Sequence, residues 1–219
     1  MSVVRIIPII AALLCGSSTY AAGVGVRAGT TGIGGDVAWG LVPTLSARVG
    51  YSYLTFSTTV DSSDIKYDAK PKLSNGNLFL DWSPLGPFRI TGGLILNTNK
   101  VDVTAQSSNG SFTIGGTTYP AGSIGSLSGT VKSGNSAAPY LGIGYGNVAG
   151  AGVNFYFDLG VMFQGSPKAS LTANCNPAIP SLLCSQIQAS TVIEARDLQD
   201  SIKNFKYFPV ASIGVTIGF

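Results

Sequence analysis

The sequence predicts an all-β chain, an eight-stranded antiparallel transmembrane β-barrel with a short helix in its last long loop. Three observations predict it. The chain is 45% hydrophobic yet only 11% charged, where a soluble domain of this size carries about twice that charged fraction. Beyond the first residues no stretch reaches the ~18 consecutive apolar residues that mark a spanning helix. Several segments alternate apolar and polar residues with the period-two pattern of a strand that has two unlike faces. Inside lipid only helices and closed barrels satisfy every backbone group, so a hydrophobic, exported chain without such a helix is left with the barrel.

Residues 1–21 read as a cleaved export signal. Arg5 is its positive end, Ile6 to Leu14 a short apolar run broken by Pro8, and Thr19 and Ala21 the small residues before the cut. The run is too short to span a bilayer. Cys15 follows Leu14 rather than a small residue, which argues against a lipoprotein. One barrel domain, 22–219, remains. Without Arg5 it has twelve basic and ten acidic residues, a balance that points to no nucleic acid and no strongly acidic partner.

Strands are expected near 23–30, 33–41, 45–58, 66–83, 88–104, 128–147, 152–166 and 206–219. The seventh shows the pattern best: Val153, Phe155, Phe157, Leu159, Val161 and Phe163 alternate with Asn154, Tyr156, Asp158, Gly160 and Met162. Leu78, Leu80 and Trp82 alternate with Asn77, Phe79 and Asp81; Phe88, Ile90, Leu94 and Leu96 oppose Arg89, Thr91 and Asn97. In a barrel the apolar face meets lipid and the small or polar face fills the lumen. Trp39, Trp82, Phe88 and Phe219 lie beside short turns or the terminus, as an interfacial girdle should. Links near 41–44, 84–87 and 148–151 are short, whereas those near 59–66, 105–128 and 167–205 are long. Outer-membrane barrels put the short turns in the periplasm and the long loops outside. Counting back from Phe219 requires a strand before Gly32, so 23–40 is a tight hairpin turning at Thr30-Thr31-Gly32. The alternative is one continuous strand.

The last long link carries Ile187, Val192, Ile193, Ala195, Leu198, Ile202 and Phe205 at helical spacing within Gln186–Lys206, where Gly and Pro are absent. It reads as a helix capping the barrel mouth, or as a surface for a ligand. Cys175 and Cys184 share a polar segment, and export to an oxidising compartment predicts a disulfide closing a small loop; two free thiols are the alternative.

The chain has no histidine. That removes histidine-based general-base catalysis and histidine metal sites, so no enzyme, metal or cofactor is expected. Ser63 and Lys66 form an isolated S-x-x-K without companion motifs. Gly142, Gly144 and Gly146 alternate along a strand, which thins a lumen wall rather than making a nucleotide loop. Asn109-Gly110-Ser111 matches a glycosylation sequon and is discounted. The run around Asp61, Asp64 and Asp68 with Lys66, Lys70 and Lys72 reads as a solvated face, or as a contact for a divalent ion or lipopolysaccharide. More informative are Arg27, Asp36, Arg48, Asp81, Arg89 and Asp158, which the alternation turns inward. In a narrow barrel these charges must pair, Asp81 with Arg89 being one candidate couple. The expectation is a salt-bridged plug, with a gated polar path as the alternative.

The final residues Ser212-Ile213-Gly214-Val215-Thr216-Ile217-Gly218-Phe219 resemble the outer-membrane assembly signal: Ser212 as the polar position, then Gly214, hydrophobic Ile217 and the terminal aromatic Phe219. LFLDWSPLGPFRITGGLILNTNK (78–100), APYLGIGYG (138–146), FDLGVMFQGSPK (157–168) and LQDSIKNFKYFPVASIGVTIGF (198–219) resemble small proteobacterial outer-membrane proteins. The plan is more distantly similar to OmpW-like and OmpA-type transmembrane domains, without the peptidoglycan-binding domain of the latter. The resemblance implies a Gram-negative outer-membrane location and recognition by the barrel-assembly machinery. The expected surroundings are outer-membrane lipid and lipopolysaccharide. Function is expected to be structural or surface-interacting; the alternative is a narrow, porin-like channel or a lateral route for small apolar compounds.

Overall fold

A computed structural model describes residues 21–62, 65–107 and 110–219. The expected export signal and Cys15, the S-x-x-K serine, Asp64 and Asn109 lie outside the described residues. In chain order the strands are β1 (Ala22–Gly29), β2 (Gly32–Val42), β3 (Leu45–Thr55), β4 (Thr58–Ser62), β5 (Ile65–Leu85), β6 (Phe88–Asn97) and β7 (Lys100–Ser107). Then come β8 (Ser111–Ile114), β9 (Thr117–Pro120), β10 (Ile124–Lys132), β11 (Ala137–Tyr145), β12 (Gly152–Phe163), β13 (Lys168–Cys175), helix α1 (Ser181–Ile202) and β14 (Tyr207–Gly218).

Eight of these strands form an antiparallel ring. Its order is β1-β2-β3-β5-β6-β11-β12-β14, and β14 returns to β1 with Gly23 opposite Gly218 and Gly29 opposite Ser212. Residues 22–42 form a hairpin, because Gly29 pairs with Gly32 across Thr30-Thr31. Gly32 has φ +113°, a conformation that costs an L side chain heavily and glycine almost nothing. The period-two pattern decides which face looks in: Val153, Phe155, Phe157, Leu159, Val161 and Phe163 are exposed on the outside of the ring, while Tyr156, Asp158 and Met162 are buried within. Trp39, Trp82, Phe88 and Phe219 are exposed around the short-turn end.

The expected long loops are largely regular structure, two of them mostly sheet and the third mostly helix. The segment expected as one strand over 88–104 breaks at Thr98–Asn99, and the one over 128–147 breaks at residues 133–136. Beyond those breaks, β4, β5, β7, β10 and β13 pair into an extension standing on one side of the ring. The link expected at 59–66 is the β4–β5 hairpin, and 105–128 holds the β8–β9 hairpin. Alternation continues past the barrel rim into these segments, but its apolar face changes partner. Ala105, Ala173, Phe112, Ile114, Tyr119, Ile124 and Ile187 form a small core between the extension, the β8–β9 hairpin and α1.

The helix begins at Ser181, five residues before the expected start, directly after Pro180, whose fixed φ suits a helix start. Its covered side carries Ile187, Ser190 and Thr191, whereas Val192 and Ile193 are exposed. The apolar spacing therefore indicated the helix but misjudged its buried face.

β1, at eight residues, is shorter than its neighbour β14, at twelve. β3 pairs with β2 only as far as Tyr53, and β14 pairs with β1 only as far as Ser212. Above the hairpin the two facing edges lack a strand between them. Pro209 sits on that edge, where a strand tolerates a residue that cannot donate. Thr30 bridges the foot of the gap, its Oγ1 donating to the Pro209 carbonyl at 3.0 Å.

Candidate functional site: the charged lumen

All six charged residues that the alternation turns inward are buried inside the ring, in two linked groups. In the first, Arg48 donates to Asp81 from Nε and Nη2, both at 3.1 Å, and to Asp158 from Nη1 at 2.7 Å. Arg89 binds the other Asp158 oxygen and the Gly146 carbonyl. Arg89 and Asp81, the couple suggested by neighbouring strands, come only to 3.8 Å; Thr91 Oγ1 takes the nearer place on Asp81 at 2.6 Å. In the second group Arg27 lies 3.5 Å from Asp36 and donates to Asn77 Oδ1 at 2.7 Å. Asn77 Nδ2 and the Tyr156 hydroxyl both donate to Asp36, at 3.2 and 2.7 Å.

Tyr156 joins the two groups. Its ring lies 5.2 Å from the Arg48 guanidinium and 5.4 Å from that of Arg89, within cation–π range. Phe79 faces Arg48 from another side at 5.2 Å. Room for this ring comes from glycine: a Cβ on Gly214 would strike Tyr156, and one on Gly144 would strike Arg89 and Asp158. In the G-x-G-x-G run, Gly142 and Gly144 thus make space for Tyr140, Arg89 and Asp158, whereas Gly146 lies against the Phe155 backbone at φ +95°. Towards the long-loop end the lumen is filled by Phe79, Ile95, Ala138, Tyr140, Met162 and Val210, with Phe79 and Tyr140 stacked at 4.6 Å. Towards the short turns, Val148 packs on Ala38 and Tyr156.

An isolated buried ion is costly, and removing it from water is offset only by close partners with good geometry. Here every carboxylate has at least two donors or cations around it. No cluster of three or more metal-ligating side chains occurs among the described residues. Sequence reasoning missed Asn77, Thr91 and Tyr156 as members of the network. Their inward parity was visible, but their partners lie on strands that only the register brings together.

Outside the lumen, Cys175 and Cys184 form a disulfide with Cα atoms 5.7 Å apart, tying the end of β13 to the first turn of α1. Ser212 is buried and Gly214 lies under Tyr156, while Ile217 and Phe219 point outward. Phe219 exchanges two backbone hydrogen bonds with Ala22.

A closed antiparallel ring with an apolar outside and a charged, filled inside defines the class: a small β-barrel of the outer-membrane kind. Among solved structures the chain is similar to Acinetobacter baumannii CarO2, at 25% identity and a TM-score of 0.61, over 92% of this chain and 100% of that one. It is also similar to CarO of the same organism, at 22% identity and a TM-score of 0.60, over 90% of this chain and 97% of that one. A looser likeness, at 16% identity and a TM-score of 0.45, links it to a major outer membrane protein from Thermus thermophilus, over 92% and 100% of the two chains. No protein-family model matches the sequence, and no curated protein sequence matches it significantly.

Proposed function

We propose that this chain is a transmembrane barrel of a Gram-negative outer membrane, exported by its N-terminal signal and inserted by the barrel-assembly machinery through Ser212, Gly214, Ile217 and Phe219. The ring crosses the bilayer with its short turns inside and its extension outside. Its lumen is a plug and its role is structural or surface-interacting, carried by the extension and α1; it catalyses no reaction and uses no cofactor. Lipid and lipopolysaccharide surround it. The single observation behind the closed-lumen reading is Arg48, wholly buried and held across the lumen by Asp81 and Asp158. Eight strands enclose an interior that side chains can fill, and here they do.

A second reading, a lateral route for small apolar compounds, is favoured by one feature: the gap in the wall above the β1–β2 hairpin.

The test is ion conductance of refolded protein in planar bilayers, with insertion checked separately by protease protection in vesicles. The plug predicts inserted protein without discrete openings, and openings in R48A and R89A. Steady openings in the unmodified protein, altered in size or selectivity by R48A, would replace the plug with a channel. Failure to insert would remove the membrane reading itself.

A further inference from the structure

Four lysines stand abreast on the extension. Lys72 of β5 pairs with Lys100 of β7, Lys100 with Lys132 of β10, and Lys132 with Lys168 of β13. Directly opposite residues of an antiparallel ladder send their side chains to the same face, about 4.5–5.5 Å apart at Cβ, and like charges so placed destabilise the sheet. Among the described residues the only carboxylate within salt-bridge distance of the row is Asp102, 2.6 Å from Lys100. The next row brings a further lysine, Lys70, opposite Asp102.

The row's position is specific. β6 ends at Asn97 and β7 begins at Lys100, so the lysines mark the level where the ring gives way to the extension. Lys72 lies 5.9 Å from the ring of Tyr53, which is exposed on the outer wall. The lysine face is therefore continuous with the apolar exterior, while the opposite face of the sheet is covered by α1 and the β8–β9 hairpin.

Lys72, Lys100 and Lys132 line a cleft of about 510 Å³ together with Ser74, Asn99 and Ser133. Asn99 Oδ1 is fixed by donors from the Ser74 backbone and Asn75 Nδ2, each at 2.9 Å. Its Nδ2 is buried and has no acceptor. Cations and hydroxyls in one cleft, beside a buried donor left without a partner, call for an oxygen-rich anion.

We propose that this row is a binding site for the phosphate groups of a phosphorylated lipid in the leaflet around the long-loop end of the barrel. The inference rests on the transmembrane reading. Free phosphate shares the chemistry, but a site at the rim of an apolar wall holds a headgroup whose acyl chains can lie against that wall.

The probe is bisphosphorylated lipid A, offered to the refolded protein in nanodiscs beside the same lipid stripped of phosphate. A lysine near a membrane surface contributes about fivefold in affinity, so K72Q/K100Q/K132Q should weaken retention on the order of a hundredfold. The single change K132Q should cost about fivefold. R196Q/K203Q/K206Q, which removes the same charge elsewhere on the long-loop side, should change little. Equal losses in both triple variants, or equal retention of the phosphate-free lipid, would overturn the proposal. Displacement by low-millimolar inorganic phosphate would mean a free-phosphate site and overturn the lipid assignment. Protease protection reports insertion independently, so protein that inserts but ignores the phosphates defeats this inference alone.

Discussion

Arg48 and Asp81 meet through two parallel hydrogen bonds, Nε to Oδ2 and Nη2 to Oδ1, with both side chains fully buried. This fork sits at the centre of the lumen, and Asp158 completes the shell of Arg48 from another strand. The pairing ties β3 to β5 and, through Asp158, to β12 across the lumen.

Breaking the fork should be costly. R48A leaves two carboxylates short of a cation and should lower stability by about 3–5 kcal/mol, the range for removing one partner of a buried pair. In a double-mutant cycle followed by urea unfolding, Arg48 and Asp81 should couple more strongly than Arg89 and Asp81, which do not hydrogen-bond each other. Equal coupling in the two cycles would contradict the geometry.

Gly214 makes space for the Tyr156 ring. G214A should destabilise the barrel by about 1–3 kcal/mol through overpacking. The cost should shrink when Y156A is present, because the ring it displaces is gone; the check is thermal unfolding of both single variants and the double. An unchanged cost would place the effect elsewhere, for example in assembly.

The Cys175–Cys184 bridge closes a small loop, with a separation of nine residues. Removing it as C175S/C184S should cost about 2–3 kcal/mol on the chain-entropy account. The loss should be local. Limited proteolysis should cut residues 167–205 sooner, while the ring strands remain protected.

Asp102 is held below the usual carboxylate range by its hydrogen bond from Lys100 and, next, by that from Thr130. A depressed carboxylate contributes stability that is full above its ordinary value near 4 and lost as pH falls through the lowered value. The extension should therefore keep this contact in moderately acidic solution. An NMR titration should show Asp102 moving up towards the ordinary carboxylate value in K100Q.

Much of this molecule was legible one strand at a time. Alternation in 153–163 and 77–82 located both faces correctly, because a lipid-facing wall demands apolar residues at every second position and a narrow interior demands small or paired ones. The six lumen charges followed from the same parity. What parity cannot supply is register. Whether Arg89 meets Asp81 or Asp158 depends on how strands far apart in sequence slide past one another, and the row of lysines is invisible until four strands are aligned. The extension was hidden for another reason. Long links between barrel strands read as loops, yet they continue as sheet because α1 and the β8–β9 hairpin offer them a second apolar partner.

The seam between β1 and β14 also sets an order of events. Gly23 can find Gly218 only after the six intervening ring strands have been made, so the cylinder shuts last. Until then both seam strands expose open ladders, the state in which sheet proteins aggregate, and a closure this distant in sequence is intrinsically slow. The fold thus keeps two unpaired edges open until β14 arrives, and that one strand closes the wall by pairing on both of its sides.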